Sequence, residues 1–184
     1  SGSSFVHETE GQLILNGSYD GIYLLCEKIK QDKNRVDIAK LNPDENSGDD
    51  LTGGYIFSTD YYTASDSWLS DHSPVNKPGA RVHYVYCDPK PDVLSEIQKA
   101  YLKDHVNSFE DVLYDRYFDD RHKGYNKYID VNSFVDYFIL SELTRNIDAY
   151  KKSRFFYKDK ASDGGLIHSG PPWDFDWAWK DIKE

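Results

Sequence analysis

The spacing of apolar residues changes twice along the chain, and this constrains the fold more than any other feature. Up to Cys87 the apolar runs are short and alternate as in strands. From residue 92 to residue 143 they recur at helical spacing, and after Ser153 short strand-like runs return. Strands, then helices, then a closing hairpin is an α+β order, not the alternating order that builds a parallel sheet.

Residues 12–16 and 22–29 flank the turn signal Asn16-Gly17-Ser18-Tyr19-Asp20-Gly21 and predict an antiparallel hairpin. Alternation puts Tyr23, Leu25 and Glu27 on one face of its second strand, and Leu24, Cys26 and Lys28 on the other. Asn16-Gly17-Ser18 also fits a glycosylation sequon, but the turn already accounts for it. Residues 42–54 read as an acidic loop without calcium-loop spacing. Residues 54–59 predict a strand, 60–80 a long surface excursion, and 81–87 another alternating strand. Beyond Pro89-Lys90-Pro91, Asp92 is expected to open a helix, with a break at Asn107-Ser108. Residues 118–127 form a charged linker. Asp130 is a good N-cap for a second helix through about Leu143, whose apolar side is Phe134, Tyr137, Phe138 and Ile139. The runs 154–158 and 165–168 predict a hairpin around Ala161-Ser162-Asp163-Gly164.

With 184 residues the chain is long enough for one domain with a core of its own. Its net charge of −10 argues against nucleic acid or an anionic lipid surface as a default partner. No apolar run is long enough to span a bilayer. Cys26 and Cys87 are too few for a disulfide framework, and sequence does not decide whether they pair.

The chemistry points to the C-terminal third. Asn146 and Asp148 lie in a short polar loop after the second helix, and Trp173-Asp174-Phe175-Asp176 follows the closing hairpin. A hairpin brings the loops at its open end together, so these acids are expected to be neighbours despite their sequence separation. Acids among Trp173, Trp177 and Trp179 lose solvation unless something positive compensates them. That could be a divalent cation, or a basic side chain such as Arg145. Protein kinases use such an arrangement: one Asp accepts the substrate proton, and an Asp after the next hairpin holds Mg²⁺. Asp148 would be the base, and Asp174, with Asp176 beside it, the metal ligand. Ser153 stands where a kinase has its second metal ligand, an Asn; a hydroxyl is the weaker donor to a hard cation. Paired carboxylates among rings would also suit glycoside hydrolysis.

Four blocks in order carry a family resemblance: residues 15–27 (Leu15-Asn16-Gly17 through Cys26-Glu27), Thr52-Gly53-Gly54-Tyr55-Ile56, residues 129–148 (Ile129-Asp130 through Asn146-Ile147-Asp148), and Gly170-Pro171-Pro172-Trp173-Asp174-Phe175-Asp176. Together they resemble the CotH (spore coat protein H) kinases. The resemblance implies a divergent protein-kinase-like α+β fold: N-terminal antiparallel strands, then a mainly helical lobe with a small catalytic hairpin. It implies one domain over residues 1–184, β-rich over 1–88 and helical over 89–184, and partial at its N-terminal side. It further implies ATP with Mg²⁺ or Mn²⁺, transfer to Ser/Thr hydroxyls of a spore-coat or surface protein, and an extracellular, cell-surface or spore-coat location. Asp148 and Asn146 would serve catalysis; Asp174, Asp176 and Ser153 the metal; and Glu27, Lys151, Lys152 and Trp173 the nucleotide. The alternative is a non-catalytic surface or adhesion module that keeps the fold.

Overall fold

The computed structural model describes residues 8–179; residues 1–7 and 180–184 of the expected domain lie outside the described part. Strands β1 (Glu8–Leu15) and β2 (Ser18–Cys26) form an antiparallel hairpin. Its turn is Asn16-Gly17, both at positive φ (50° and 84°), the two-residue geometry that matches strand twist. This confirms the predicted hairpin, with β2 beginning and ending earlier than expected. The burial expected from alternation does not appear. Ile14, Leu15, Tyr19, Ile22, Tyr23, Leu24 and Leu25 are all at least half exposed, on both faces of the ribbon.

The remaining strands form one five-stranded sheet in the order β4 (Ser67–Leu69), β5 (His83–Asp88), β3 (Tyr55–Thr59), β6 (Arg154–Lys158), β7 (Ile167–Ser169), every neighbour antiparallel. Alternation along β3 explains why it reads as a continuous apolar run. Tyr55 and Phe57 face a core with Trp68, Tyr86, Leu102, Val106, Phe156 and Ile167. Ile56 faces a smaller core with Val36 and Ile38, against which Cys87, Phe155 and Tyr157 pack. A strand buried on both faces needs apolar residues at successive positions.

Helices α1 (Glu96–Tyr114) and α2 (Val131–Thr144) contribute Leu102, Val106, Phe109 and Phe134 to the larger core. Asp130 caps α2 as expected, accepting from the Ser133 amide at 2.8 Å. α1 begins at Ser95 rather than Asp92, because Ser95 and Gln98 complete a reciprocal capping box. The expected break at Asn107-Ser108 is absent. The Asn107 amide is occupied by Asp71 (2.6 Å), and the Ser108 hydroxyl returns to the Asp104 carbonyl (2.7 Å), so neither disrupts the helix. Buried Gln98 holds the acidic loop through the Asn42 and Glu45 carbonyls.

Two expectations need correction. Residues 60–80 are not all surface excursion, since they contain β4, whose Trp68 is buried against Tyr86 with ring centroids 4.6 Å apart. Nor do two helices make a mainly helical lobe. The closing hairpin joins the central sheet because β6 carries Phe155, Phe156 and Tyr157 in succession, and so needs cover on both faces.

Lys158 ends β6 and is almost fully buried (1% exposed), with Nζ donating to the Thr52 carbonyl and, at 3.3 Å, to that of Asp159. Burial pulls its pKa down to about 8, with Asp159 and Asp49 opposing that. The unfolded chain therefore binds more protons between about pH 8 and the tyrosine range near 10, and stability contributed by this group rises with pH there. Denaturant unfolding should show that rise in the wild type and a flatter profile in Lys158→Met. Native-state amide exchange should be fastest in β1–β2, a two-stranded ribbon without a layer over either face, and slowest in β3. Equal protection of the two would contradict this description.

Candidate active site

α2 ends where Arg145 turns left-handed (φ 51°), its N–H returning to the Glu142 and Ser141 carbonyls. The chain then winds tightly. Buried Asn146 accepts the Asp148 N–H on Oδ1 (3.2 Å), and the Asp148 carbonyl accepts the N–H groups of Lys151 (2.8 Å) and Lys152 (3.0 Å). The Tyr137 hydroxyl donates to the Ala149 carbonyl at 3.0 Å and fastens this loop to α2. With its backbone so committed, Asp148 presents its carboxylate partly to solvent, 3.8 Å from Lys152 Nζ.

The loop after β7 comes back to the same place. The Gly170 N–H donates to the Phe155 carbonyl (2.8 Å), closing the open end of the β6–β7 hairpin. Across that end the Ser153 hydroxyl donates to Asp174 Oδ2 at 2.9 Å. Ser153 and Asp174 both have left-handed backbones (φ 52° and 60°), as does Arg145. For residues other than glycine this conformation is strained, and such strain concentrates at functional sites. The hairpin geometry predicts Asp148 and Asp174 as neighbours; among the described residues no hydrogen bond links these two acids, and the contact present joins Asp174 to Ser153, five residues beyond Asp148. Asp176 is exposed in the next turn, and among the described residues no contact joins it to that pair. Arg145 serves as the helix C-cap.

Beside the acids lies a cleft of about 490 Å³ on the sheet face away from the helices. Ser58, Cys87 and Phe155 form its floor; Lys28, Tyr61, Lys90 and Trp173 stand around it. Trp173 meets Phe155 edge to face at 6.4 Å. Lys152 links cleft and acids, donating to Tyr61 Oη at 2.9 Å. That hydrogen bond above all, with the Asp148 charge adding to it, raises the lysine's pKa, so it stays an ammonium. Cys87 is no candidate nucleophile: burial above all pushes its thiol up to about 11, so the thiolate is scarce near neutrality. Cys26 and Cys87 are not joined in a disulfide.

Of the residues expected at the nucleotide, Trp173 lines the cleft and Lys152 adjoins it through Tyr61. Lys151 is exposed in the loop. Glu27 stands 3.7 Å from Arg35, and it is the next residue, Lys28, that reaches the cleft. Sequence reasoning missed Tyr61, hidden in a segment read as a surface excursion. It also missed Arg154, whose guanidinium lies 4.8 to 5.4 Å from the ring centres of Phe156, Tyr137 and Phe134 beneath the Asp148 loop. Burial works against its charge, partly offset by Tyr137, Tyr84 and Tyr150.

The donors available to a metal are hard oxygens, the Asp174 carboxylate and the Ser153 hydroxyl. Among the described residues no three acids, histidines or cysteines converge on one point. That set fits Mg²⁺ or Mn²⁺, which keep waters and take one or two carboxylates plus substrate phosphates. It would not suit a cation needing an all-protein cage.

The chain thus carries one acid in the loop after a helix and another at the open end of the next hairpin. A family model described as CotH kinase protein matches residues 4–184, and the chain belongs to that family. No curated protein and no solved structure matches it.

The Tyr137–Ala149 bond can be tested apart from any activity. Tyr137→Phe leaves the Ala149 carbonyl without its partner and should cost about 1–3 kcal/mol in denaturant unfolding. An unchanged unfolding midpoint would mean that this bond does not secure the loop.

Proposed function

We propose that this chain is a metal- and ATP-dependent protein kinase that transfers the γ-phosphate to Ser/Thr hydroxyls of secreted, cell-surface or spore-coat proteins. The observation that carries the reading is the Ser153–Asp174 contact, which brings the loop after β7 onto the loop that holds Asp148. Membership of the CotH kinase family supports it independently.

Asp148 is the base. Its carboxylate is partly exposed in a loop held by the N–H groups of Asn146, Asp148, Ala149, Lys151 and Lys152, so it can accept the acceptor hydroxyl's proton without the loop having to move. Asn146 acts by shape: its buried side chain fixes the Asp148 N–H and therefore the direction of the carboxylate. Asp174 and Ser153 would hold the Mg²⁺ or Mn²⁺, with Asp176 close enough in sequence to contribute through water. The bound metal neutralises charge developing on the transferring phosphate. The ammonium of Lys152, on the cleft side of Asp148, offers further compensation, and exposed Lys151 could add to it. Trp173 and Phe155 offer ring faces for a nucleobase, and Lys28 a cation for phosphate. Among the described residues no helix is long and apolar enough to cross a membrane.

The second reading, a surface or adhesion module without catalysis, draws support from the outward apolar side chains of β1–β2. Calorimetry separates the two. ATP with Mn²⁺ should bind the wild type, and Asp174→Ala should weaken that binding. Asp148→Ala should keep both fold and binding while slowing transfer of labelled phosphate to protein by roughly 10²–10⁴-fold. Transfer at the wild-type rate by Asp148→Ala would remove the kinase assignment of that residue. No nucleotide affinity at all would favour the adhesion reading.

A further inference from the structure

A cleft residue joined to the proposed base through Lys152 carries an acceptor hydroxyl of its own. Lys152 Nζ is shared: it donates to Tyr61 Oη at 2.9 Å, and it stands 3.8 Å from Asp148 Oδ2. It also lies 4.7 Å from the centre of the Tyr61 ring. One ammonium thus contacts both a phenol and a carboxylate, at the edge of the cleft proposed for the nucleotide. Tyr61 is otherwise 80% exposed, and it lines that cleft together with Asp60 and Asp66 from its own segment. Core packing therefore does not account for its position. Its partner does.

We propose that Tyr61 is an intramolecular phosphoryl acceptor, modified by the chain's own site. This rests on the kinase reading above and extends it from aliphatic hydroxyls of other proteins to a phenol in the same chain. A phenol oxygen that accepts from an ammonium leaves its own proton free to be given away, and Asp148 is the carboxylate that shares that ammonium. In the transfer, Tyr61 Oη forms a bond to the γ-phosphorus of a nucleoside triphosphate. The bond from that phosphorus to the β–γ bridging oxygen breaks, and the nucleoside diphosphate leaves with the electron pair. Lys152 gives a proton to Asp148 and takes up the phenolic proton, so the charge on Lys152 is restored and Asp148 ends protonated. Lys152 sits where it can compensate charge on the acceptor oxygen and on the incoming phosphate alike. Tethering the acceptor beside the base replaces a bimolecular encounter with an internal one, which favours a phenol already in place. A phosphate on Tyr61 would keep Lys152 as its natural counter-ion and would stand at the rim of the cleft.

The test uses the full chain with ATP and Mn²⁺, in the presence of a generic basic protein substrate, followed by peptide mapping. The expected result is on the order of one phosphate per chain on Tyr61, at a rate unchanged by roughly tenfold dilution of the protein. Tyr61→Phe should lose the phosphotyrosine signal. Label on the added substrate with Tyr61 unmodified would overturn this inference and leave the proposed function standing, whereas no label on either would count against both. Dependence of the Tyr61 rate on protein concentration would also overturn it, because the acceptor would then belong to another copy. A readout without turnover comes from Asp148→Asn with a non-hydrolysable nucleotide. Bound Mn²⁺ should broaden the Tyr61 ring signals in a ring-labelled tyrosine spectrum, and nucleotide binding that leaves them sharp would refute the placement.

Discussion

The pairing of β3 with β6 is the interaction on which the rest of the structure depends. Phe57 lies opposite Phe156 in the register, and their rings stack with centroids 5.2 Å apart. On the other face Ile56 lies opposite Tyr157 over the smaller core. A short strand with large apolar residues on both faces has few ways to satisfy them, and the slot beside β3 does so. Once β6 is seated, its first residue, Arg154, is fixed, and so is the hairpin end where Phe155 accepts from Gly170. Ser153 and the Gly170–Asp174 segment then leave the sheet side by side. The proximity of the two acidic loops is thus a consequence of ring packing in the sheet, and it precedes any ligand.

Rigidity is distributed unevenly around the acids. Beneath the Asp148 loop lie Tyr137, the ring-enclosed Arg154 and buried Asn146, all committed to the fold. Left-handed backbones at Arg145, Ser153 and Asp174 cost on the order of 1–3 kcal/mol each, and they persist because that support over-determines them. Above the loop the contacts are polar and solvent-facing: Lys152 with Tyr61 and Asp148, and Ser153 with Asp174. The proposed phosphoryl transfer would need both. Its base and metal ligand must be placed to within fractions of an ångström, while the groups that meet a charged substrate must be free to exchange partners.

Local rules were the legible part of the sequence. Asn16-Gly17 specified its turn, Asp130 its helix start and Arg154–Lys158 its strand, because each depends on residues within a few positions. The meeting of the two loops at the open end of the hairpin was legible too, although the pair named from sequence was Asp148 and Asp174 and the contact present is Ser153 with Asp174. What could not be read depends on distant partners. β4 is three residues long and gains its identity from β5 and from the burial of Trp68. The start of α1 moved because a capping box at Ser95 outweighs a lone Asp after Pro91. Glu27 was selected on family likeness, whereas the residue facing the cleft is Lys28, beyond the end of β2, where simple alternation no longer predicts direction. Tyr61 carried no local signal at all. Its meaning comes from Lys152, 91 residues further along the chain.

That last contact also bears on how the two halves of the site are related. β2 runs from the exposed hairpin into Lys28 and Ile29 at the cleft wall, while Tyr61 follows directly on central strand β3. The cleft is therefore bounded on one side by the least buried element of the described fold and on the other by a segment anchored in its most buried strand. A ligand entering there would meet Ser58 and Phe155 in positions set by the sheet, Tyr61 in a position set by Lys152, and Lys28 in a position set by the hairpin. Electrostatics follow the same division. Asp148 and Asp174 are carried by loops anchored to α2 and the sheet, so under the proposed function the acidic part of the charge pattern is set by the fold. Lys28 stands on the hairpin side, where under the proposed function a cation would adapt to a bound phosphate without disturbing Asp148.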